Sequence, residues 1–180
     1  MKPFTRALLP LAVALCLPCT PVQAADVGPY AIVAVGRTVY DFDCYFFADC
    51  ENARATSGKL VGGYQFGIFS IEGVVIDWGR GSTPFRNSLR LQSVGLNAAW
   101  HLHFGNNWTG LLRAGAAQVR QTRSDDGRTS NLQGTFGLGL SMALTPAVAA
   151  ELAWDATTAE GNNSGSTLAQ AFSLGLRLRF

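Results

Sequence analysis

The sequence predicts an all-β protein, an eight-stranded antiparallel up-and-down transmembrane β-barrel. Three observations support this prediction. Eight segments alternate apolar residues with small or polar ones, the connections between them are alternately long and short, and the few charges inside the segments lie opposite the apolar residues. Because successive side chains of a strand point to opposite faces, each segment has one apolar and one polar face.

The N-terminal residues have the pattern of a secretory signal peptide. Lys2 and Arg6 precede an apolar run, and Val22-Gln23-Ala24 is a small-residue cleavage motif. The run is shorter than the roughly 20 residues of a transmembrane helix. We therefore expect residues 1–24 to be removed and residues 25–180 to form one barrel domain. Removal of residues 1–24 takes away two of the 14 basic residues, and the 12 that remain equal the 12 acidic residues in number. The mature chain is therefore near neutral, and it has no excess of basic residues that would suggest a nucleic-acid partner.

The first four strands are predicted at about 29–40, 60–66, 69–78 and 89–103. The first alternates apolar and small residues and is followed by a long polar loop. The second has Leu60, Tyr64 and Phe66 on one face, and a tight turn at Gly67 joins it to the third. A loop containing glycines and Pro84 separates the third strand from the fourth.

The last four strands are predicted at about 108–120, 132–144, 147–156 and 168–180. A charged loop with two aspartates follows the fifth strand, Thr145-Pro146 turns the chain after the sixth, and a Gly/Asn/Ser loop follows the seventh. In the eighth, apolar side chains from Phe172 to Phe180 alternate with Ser173, Gly175 and two arginines. Long loops therefore follow strands one, three, five and seven, which is typical of a barrel with all its short turns at one rim.

Charges within the strands indicate which face points inward. They lie opposite the apolar rows, among Gly, Ala, Ser, Thr, Gln and Asn residues, and comprise Glu72, Arg113, Glu151, Asp155, Arg177 and Arg179. Small polar residues suit a narrow lumen in which opposite charges pair, whereas the solvated face of a soluble sheet would carry more Lys, Glu and Thr. We therefore predict a lumenal charge network and apolar rows that face lipid.

Two cysteines remain after removal of the signal peptide. Cys44 and Cys50 lie in the first long loop, and an even pair in an exported protein favours a disulfide. A metal site is the alternative, but the nearby aspartates are not accompanied by a histidine. The sequence predicts no cofactor, metal or catalytic site.

Several motifs carry a family resemblance, and they appear in the order Gly62 to Phe66, Ile71 to Gly73, Leu112 to Gly115, Gly137 to Leu140 and Ser173 to Phe180. The mature chain resembles the small outer-membrane β-barrels of the OmpA transmembrane-domain type. The resemblance implies location in the outer membrane, contact with its lipid and lipopolysaccharide, and lumenal pairing among Glu72, Arg113, Glu151 and Arg177. It also implies that Ser173, Gly175, Leu178 and Phe180 form the signal read by the outer-membrane assembly machinery.

Three functions are compatible with these features. The first is a non-enzymatic barrel that contributes to envelope integrity or presents its loops to an unknown surface ligand. The second is a lipid A-modifying enzyme, but His101 and His103 precede a short turn, no His-x-Ser motif occurs, and we interpret them as polar residues near a barrel mouth. The third is a small gated pore, with lumenal charges that block the path.

Overall fold

The chain forms a closed barrel of eight antiparallel strands. The computed structural model describes residues 27–42, 53–82, 88–104, 107–123, 127–160 and 166–180. In chain order the strands are β1 (Val27–Phe42), β2 (Ala53–Phe66), β3 (Phe69–Ser82), β4 (Ser88–Phe104), β5 (Trp108–Arg123), β6 (Gly127–Ala143), β7 (Val148–Glu160) and β8 (Ser166–Arg179). Sequence neighbours pair, and β8 pairs with β1. The predicted fold class is confirmed. Within the described ranges, no helix is long and apolar enough to cross a membrane.

Most strands continue beyond their predicted ends, at the rim that carries the long loops. The predicted start of β2 at Leu60 is wrong, because the strand begins at Ala53 and stays paired with β1 up to Tyr40. Similarly, β3 continues past Trp78. These extensions are polar, so the apolar alternation that marks a strand in the sequence ends before the backbone pairing does.

The two faces of each strand differ in exposure as the alternation predicts. Large apolar side chains on the outer wall are exposed, such as Val35 at 67% and Leu132 at 76%. The opposite rows point inward and are buried, including Glu72 at 0%. The outer wall therefore offers an apolar surface to lipid, and the charges within the strands are enclosed by the barrel.

Short turns and both described chain ends share one rim. The β2–β3 turn consists of Gly67, which has φ of +68°, and Ile68. At closure, the backbone N–H of Phe180 donates to the carbonyl of Pro29 at 3.1 Å. We call this end the short-turn rim and the opposite end the long-loop rim.

A β-bulge interrupts the pairing of β3 with β4 near the long-loop rim. The register shifts between Asp77 and Gly79, and Gly79 has φ of +84°, a conformation that favours glycine. A Cβ at Gly79 would also collide with the carbonyl oxygen of Thr56 on β2. Trp78 continues the inward row of β3 and is 0% exposed, whereas beyond the bulge the rows change faces, so that Arg80 is exposed and Gly81 is buried.

Candidate functional site

A continuous chain of ion pairs crosses the lumen. Arg113 on β5 lies between two glutamates, with Nε 2.9 Å from Glu72 Oε2 and Nη2 2.8 Å from Glu151 Oε1. The other oxygen of Glu151, Oε2, lies 2.9 Å from Arg177 Nη2. None of these four side chains is more than 2% exposed. The order Glu72–Arg113–Glu151–Arg177 alternates in sign, so each inner charge has an opposite charge on both sides.

Tyr30, Ser70 and His101 extend this chain toward the short-turn rim. The Tyr30 hydroxyl donates to Glu72 Oε1 at 2.7 Å, and the guanidinium carbon of Arg177 lies 4.5 Å from the centre of the Tyr30 ring. Ser70 Oγ lies 2.8 Å from the Tyr30 hydroxyl and 2.9 Å from His101 Nε2. The sequence did not associate these three residues with the charges. The prediction rested on charged residues in the inward rows, and Tyr, Ser and His side chains were not counted among them.

The two histidines have different surroundings. His103 is exposed near the short-turn rim, as expected of a residue at a barrel mouth. His101 also lies near this rim, because its backbone N–H donates to the Ile68 carbonyl of the β2–β3 turn at 2.8 Å, but its side chain faces the lumen and is 1% exposed. The side chain of His101 points from β4 into the lumen, so the barrel encloses its imidazole.

A second ion pair involves a lysine that the sequence analysis missed. Lys59 Nζ donates to Asp155 Oδ1 at 2.9 Å and to Oδ2 at 2.7 Å, and these side chains are 3% and 8% exposed. Lys59 lies two positions before Val61 on the inward row of β2, so continuing the alternation backwards would have found it. Gly137 on β6 leaves the necessary space, because a Cβ there would be 2.8 Å from Asp155 Oδ1.

An apolar cluster fills the lumen nearer the long-loop rim. Tyr40, Trp78 and Leu91 are each 0% exposed. The Trp78 indole N–H donates to Ser93 Oγ at 2.9 Å, and the Tyr40 hydroxyl is 3.0 Å from the carbonyl oxygens of Trp78 and Gly79. Every polar atom of these two rings therefore has an acceptor. Over the described strands, side chains fill the lumen as two layers, one charged and one apolar.

The remaining predicted site residues lie along β8 or outside the described residues. Arg179 belongs to the inward row and is half-buried opposite Tyr30. Ser173 and Gly175 face the lumen, whereas Leu178 and Phe180 are on the outer wall. The predicted disulfide of Cys44 and Cys50 and the signal peptide at 1–24 lie outside the described residues. Within the described ranges, no group of three or more His, Cys, Asp or Glu residues could hold a metal ion.

Comparison with known proteins identifies the family. The chain matches the profile of the outer membrane protein beta-barrel domain over residues 7–180. It belongs to this family. No curated protein matches the chain. The predicted resemblance to small outer-membrane barrels is thus confirmed, and the family indicates location in the outer membrane.

Solved structures share the fold at low sequence identity. Neisserial surface protein A is 16% identical with a TM-score of 0.71, covering 85% of this chain and 97% of that one. The N-terminal barrel domain of Pseudomonas aeruginosa OprF is 20% identical with a TM-score of 0.57, covering 86% and 99%. OprG of Pseudomonas aeruginosa is 12% identical with a TM-score of 0.54, covering 88% and 99%. These likenesses concern the fold.

Proposed function

We propose that this protein is a non-enzymatic outer-membrane barrel that does not conduct solutes in bulk, and that it serves envelope integrity or a surface interaction at its long-loop rim. The observation that supports the proposal is the filled lumen. Arg113 and Arg177, both buried, lie across its charged layer, and Trp78 with Tyr40 occupies its apolar layer.

The energetics of the charged layer favour a closed barrel. An eight-stranded barrel has an interior just wide enough for side chains to fill it. Separating Arg113 from its carboxylates would leave buried charges unpaired, at a cost of about 3–5 kcal/mol. Such a cost keeps the open state below about 1% of molecules. A gated pore would need a partner or a change of conditions to offset this cost.

Planar-bilayer recording tests the closed lumen. The wild-type protein, inserted at a defined orientation, is expected to give silent membranes. Glu72→Ala and Glu151→Ala each remove a carboxylate from the network, and Leu132→Ala on the outer wall is the matched control. Steady wild-type conductance that changes in the two lumenal variants, but not in the control, would show that the charges gate an open path and would contradict the proposal.

A lipid-modifying enzyme is the second candidate. The 2.9 Å contact between Ser70 Oγ and His101 Nε2 favours it, because a hydroxyl beside an imidazole is the arrangement of nucleophilic catalysis. Against it, both side chains are 1% exposed inside the lumen, where no acyl chain reaches. Mass spectrometry of acyl chains released from lipopolysaccharide separates the two candidates. Turnover that Ser70→Ala, His101→Ala or His103→Ala abolishes would overturn the non-enzymatic proposal.

Partners and processing belong to the same proposal. The protein is exported through cleavage after Ala24, contacts outer-membrane lipid and lipopolysaccharide, and presents a loop braced by Cys44 and Cys50 to a surface ligand. Its last strand is read by the outer-membrane assembly machinery before closure, and the outward positions of Leu178 and Phe180 support this, since they are accessible from outside the barrel wall.

A further inference from the structure

The pairing of β6 with β7 stops well before β6 reaches the long-loop rim. The ladder between these two strands ends at Thr135↔Thr157. From there β6 continues to Gly127, paired with β5, and β7 continues to Glu160, paired with β8. Among the described residues, the segment 127–134 therefore has a ladder partner on one side only. We call this segment the free edge of β6.

Side-chain contacts at the end of the ladder show that the two strands separate. The Thr157 hydroxyl donates to the Gly134 carbonyl at 3.0 Å, and the Thr158 hydroxyl donates to Gln133 Oε1 at 2.9 Å. Thr158 belongs to the outward row of β7, whereas Gln133 belongs to the inward row of β6. Side chains from opposite faces of a sheet meet in this way only where the strands that carry them have moved apart. The barrel wall therefore has a gap above this point.

The lumenal side of the free edge is open to solvent. Its inward side chains are half-buried, namely Thr129, Asn131 and Gln133. Their cross-strand partners on β5 lie at the same height and are buried, namely Gln121, Val119 and Ala117. Height in the barrel is therefore not the cause of the exposure, and the opening lies on the side of β7.

The outer side of the same edge is exposed as well. Leu132 is 76% exposed, and it lies beyond the end of the ladder with β7. Within the ladder, the outward side chains of β6 are only 41–46% exposed, namely Phe136, Leu138 and Leu140. Both faces of β6 thus become more exposed where the pairing with β7 ends.

Three residues of the free edge direct their backbone groups into the gap. The Gly134 carbonyl points toward β7, since it accepts from Thr157. Backbone N–H and C=O groups of alternate residues in a strand point to the same side, so those of Arg128, Ser130 and Leu132 share this direction. Among the described residues they have no backbone partner on that side. Such a row of unpaired groups is a template for one further strand.

The free edge has little of the protection that exposed edges usually carry. Proline and charged side chains prevent unwanted strand pairing, but residues 127–134 contain no proline and one charge, Arg128. Leu132 is the last large apolar residue of the outward row of β6 toward the long-loop rim, and Ser130 and Arg128 lie beyond it. The edge therefore extends past the apolar band, where a segment of a water-soluble protein can reach it.

We propose that the free edge of β6 binds an extended segment of a partner protein by strand addition. Running antiparallel to β6, this segment places an apolar side chain opposite Leu132, a hydroxyl opposite Ser130 and a carboxylate opposite Arg128. Each choice complements its cross-strand neighbour. Small polar side chains between them face the half-buried inward row. The inference rests on the surface interaction proposed above and names the class of its partner.

Amide hydrogen exchange of the full-length barrel in detergent micelles, followed by NMR, tests the edge directly. The probe is the peptide acetyl-Gly-Val-Ser-Thr-Ser-Glu-Gly-amide. In the free protein the amides of Ser130 and Leu132 should exchange quickly, and that of Asn131, which points to β5, should exchange slowly. Saturating peptide should slow exchange at Ser130 and Leu132. Slow exchange of both amides without peptide, or no change with it, would overturn the proposal.

Fluorescence polarisation with the labelled peptide tests the contacts. Ser130→Pro removes an N–H that points away from β5, a position at which an edge strand tolerates proline, and Ser130→Ala is the matched control that keeps this N–H. Ser130→Pro should weaken binding at least about fivefold, the loss of one backbone hydrogen bond, and Ser130→Ala should weaken it less. Arg128→Glu should reverse the preference for this peptide over the same peptide with lysine in place of glutamate. Equal losses in the two Ser130 variants, or an unchanged preference, would contradict strand addition.

Two further measurements separate this proposal from its alternatives. Faster gel migration of unboiled samples shows that each variant is folded, and the exchange pattern of the wild-type protein decides the question if Ser130→Pro is not. Sedimentation that shows a dimer, lost in Ser130→Pro, would assign the edge to a second copy of this chain and overturn the partner segment. Silent bilayers test the closed lumen independently, so absence of peptide binding together with silent bilayers contradicts strand addition alone.

Discussion

Replacing Arg113 with methionine removes the charge that joins the two halves of the lumenal network. Arg113 Nε donates to both oxygens of Glu72, at 3.2 and 2.9 Å, and Nη2 donates to Glu151 at 2.8 Å. In the variant Glu151 keeps Arg177, at 2.9 Å, as its partner. Among the described residues, Glu72 keeps only neutral groups, the nearest being the Tyr30 hydroxyl at 2.7 Å.

The magnitude follows from the charge that is left behind. Methionine fills most of the volume of the arginine stem, so the main cost is the buried Glu72 carboxylate without a cation. Breaking a buried pair by removing one partner costs about 3–5 kcal/mol of the free energy of unfolding. The double variant Glu72→Gln/Arg113→Met leaves neither charge, so we expect it to recover at least about 1 kcal/mol relative to Arg113→Met.

Urea titration in phospholipid vesicles, followed by tryptophan fluorescence, measures these free energies. Arg120→Gln is the matched control, because it removes an exposed guanidinium from the same strand and should change stability by no more than about 0.5 kcal/mol. If Arg113→Met costs less than about 1 kcal/mol, or if the double variant is less stable than Arg113→Met, an unpaired Glu72 charge is not the source of the loss, and the reasoning fails.

Three further predictions concern the bulge, a ring contact and assembly. Gly79→Ala should lower the free energy of unfolding by about 1–3 kcal/mol, because alanine is strained at a φ of +84° and its Cβ would collide with the Thr56 carbonyl oxygen. The same urea titration measures this loss, and an unchanged free energy would contradict the prediction. Gly63→Val should displace the Tyr30 ring, since a Cβ would lie 2.6 Å from its Cζ, and altered near-ultraviolet circular dichroism would report it; an identical spectrum would count against the contact. Deleting Phe180 should reduce outer-membrane levels in cells more than it lowers the stability of refolded protein, and normal levels would refute the assembly role.

Local pattern was enough to predict the fold. Alternation with a period of two can be read within a single segment, and loop lengths need only counting, so eight strands, their order and their two faces were predicted correctly. The strand ends were not, because β2 from Ala53 to Lys59 is polar on its outward side and resembles a loop. Its backbone is held by β1, and the sequence of the segment alone does not contain that partner.

The sequence by itself determined that Glu72, Arg113, Glu151, Asp155, Arg177 and Arg179 belong to inward rows. Only the tertiary structure decided which of them meet. Glu72 and Arg113 are 41 positions apart and Lys59 and Asp155 are 96 apart, so their contacts depend on the register of every intervening strand and on closure of β8 against β1. The position of Arg80 opposite Arg90 was likewise decided by the tertiary structure, because it depends on the β-bulge and on the register of β3 with β4.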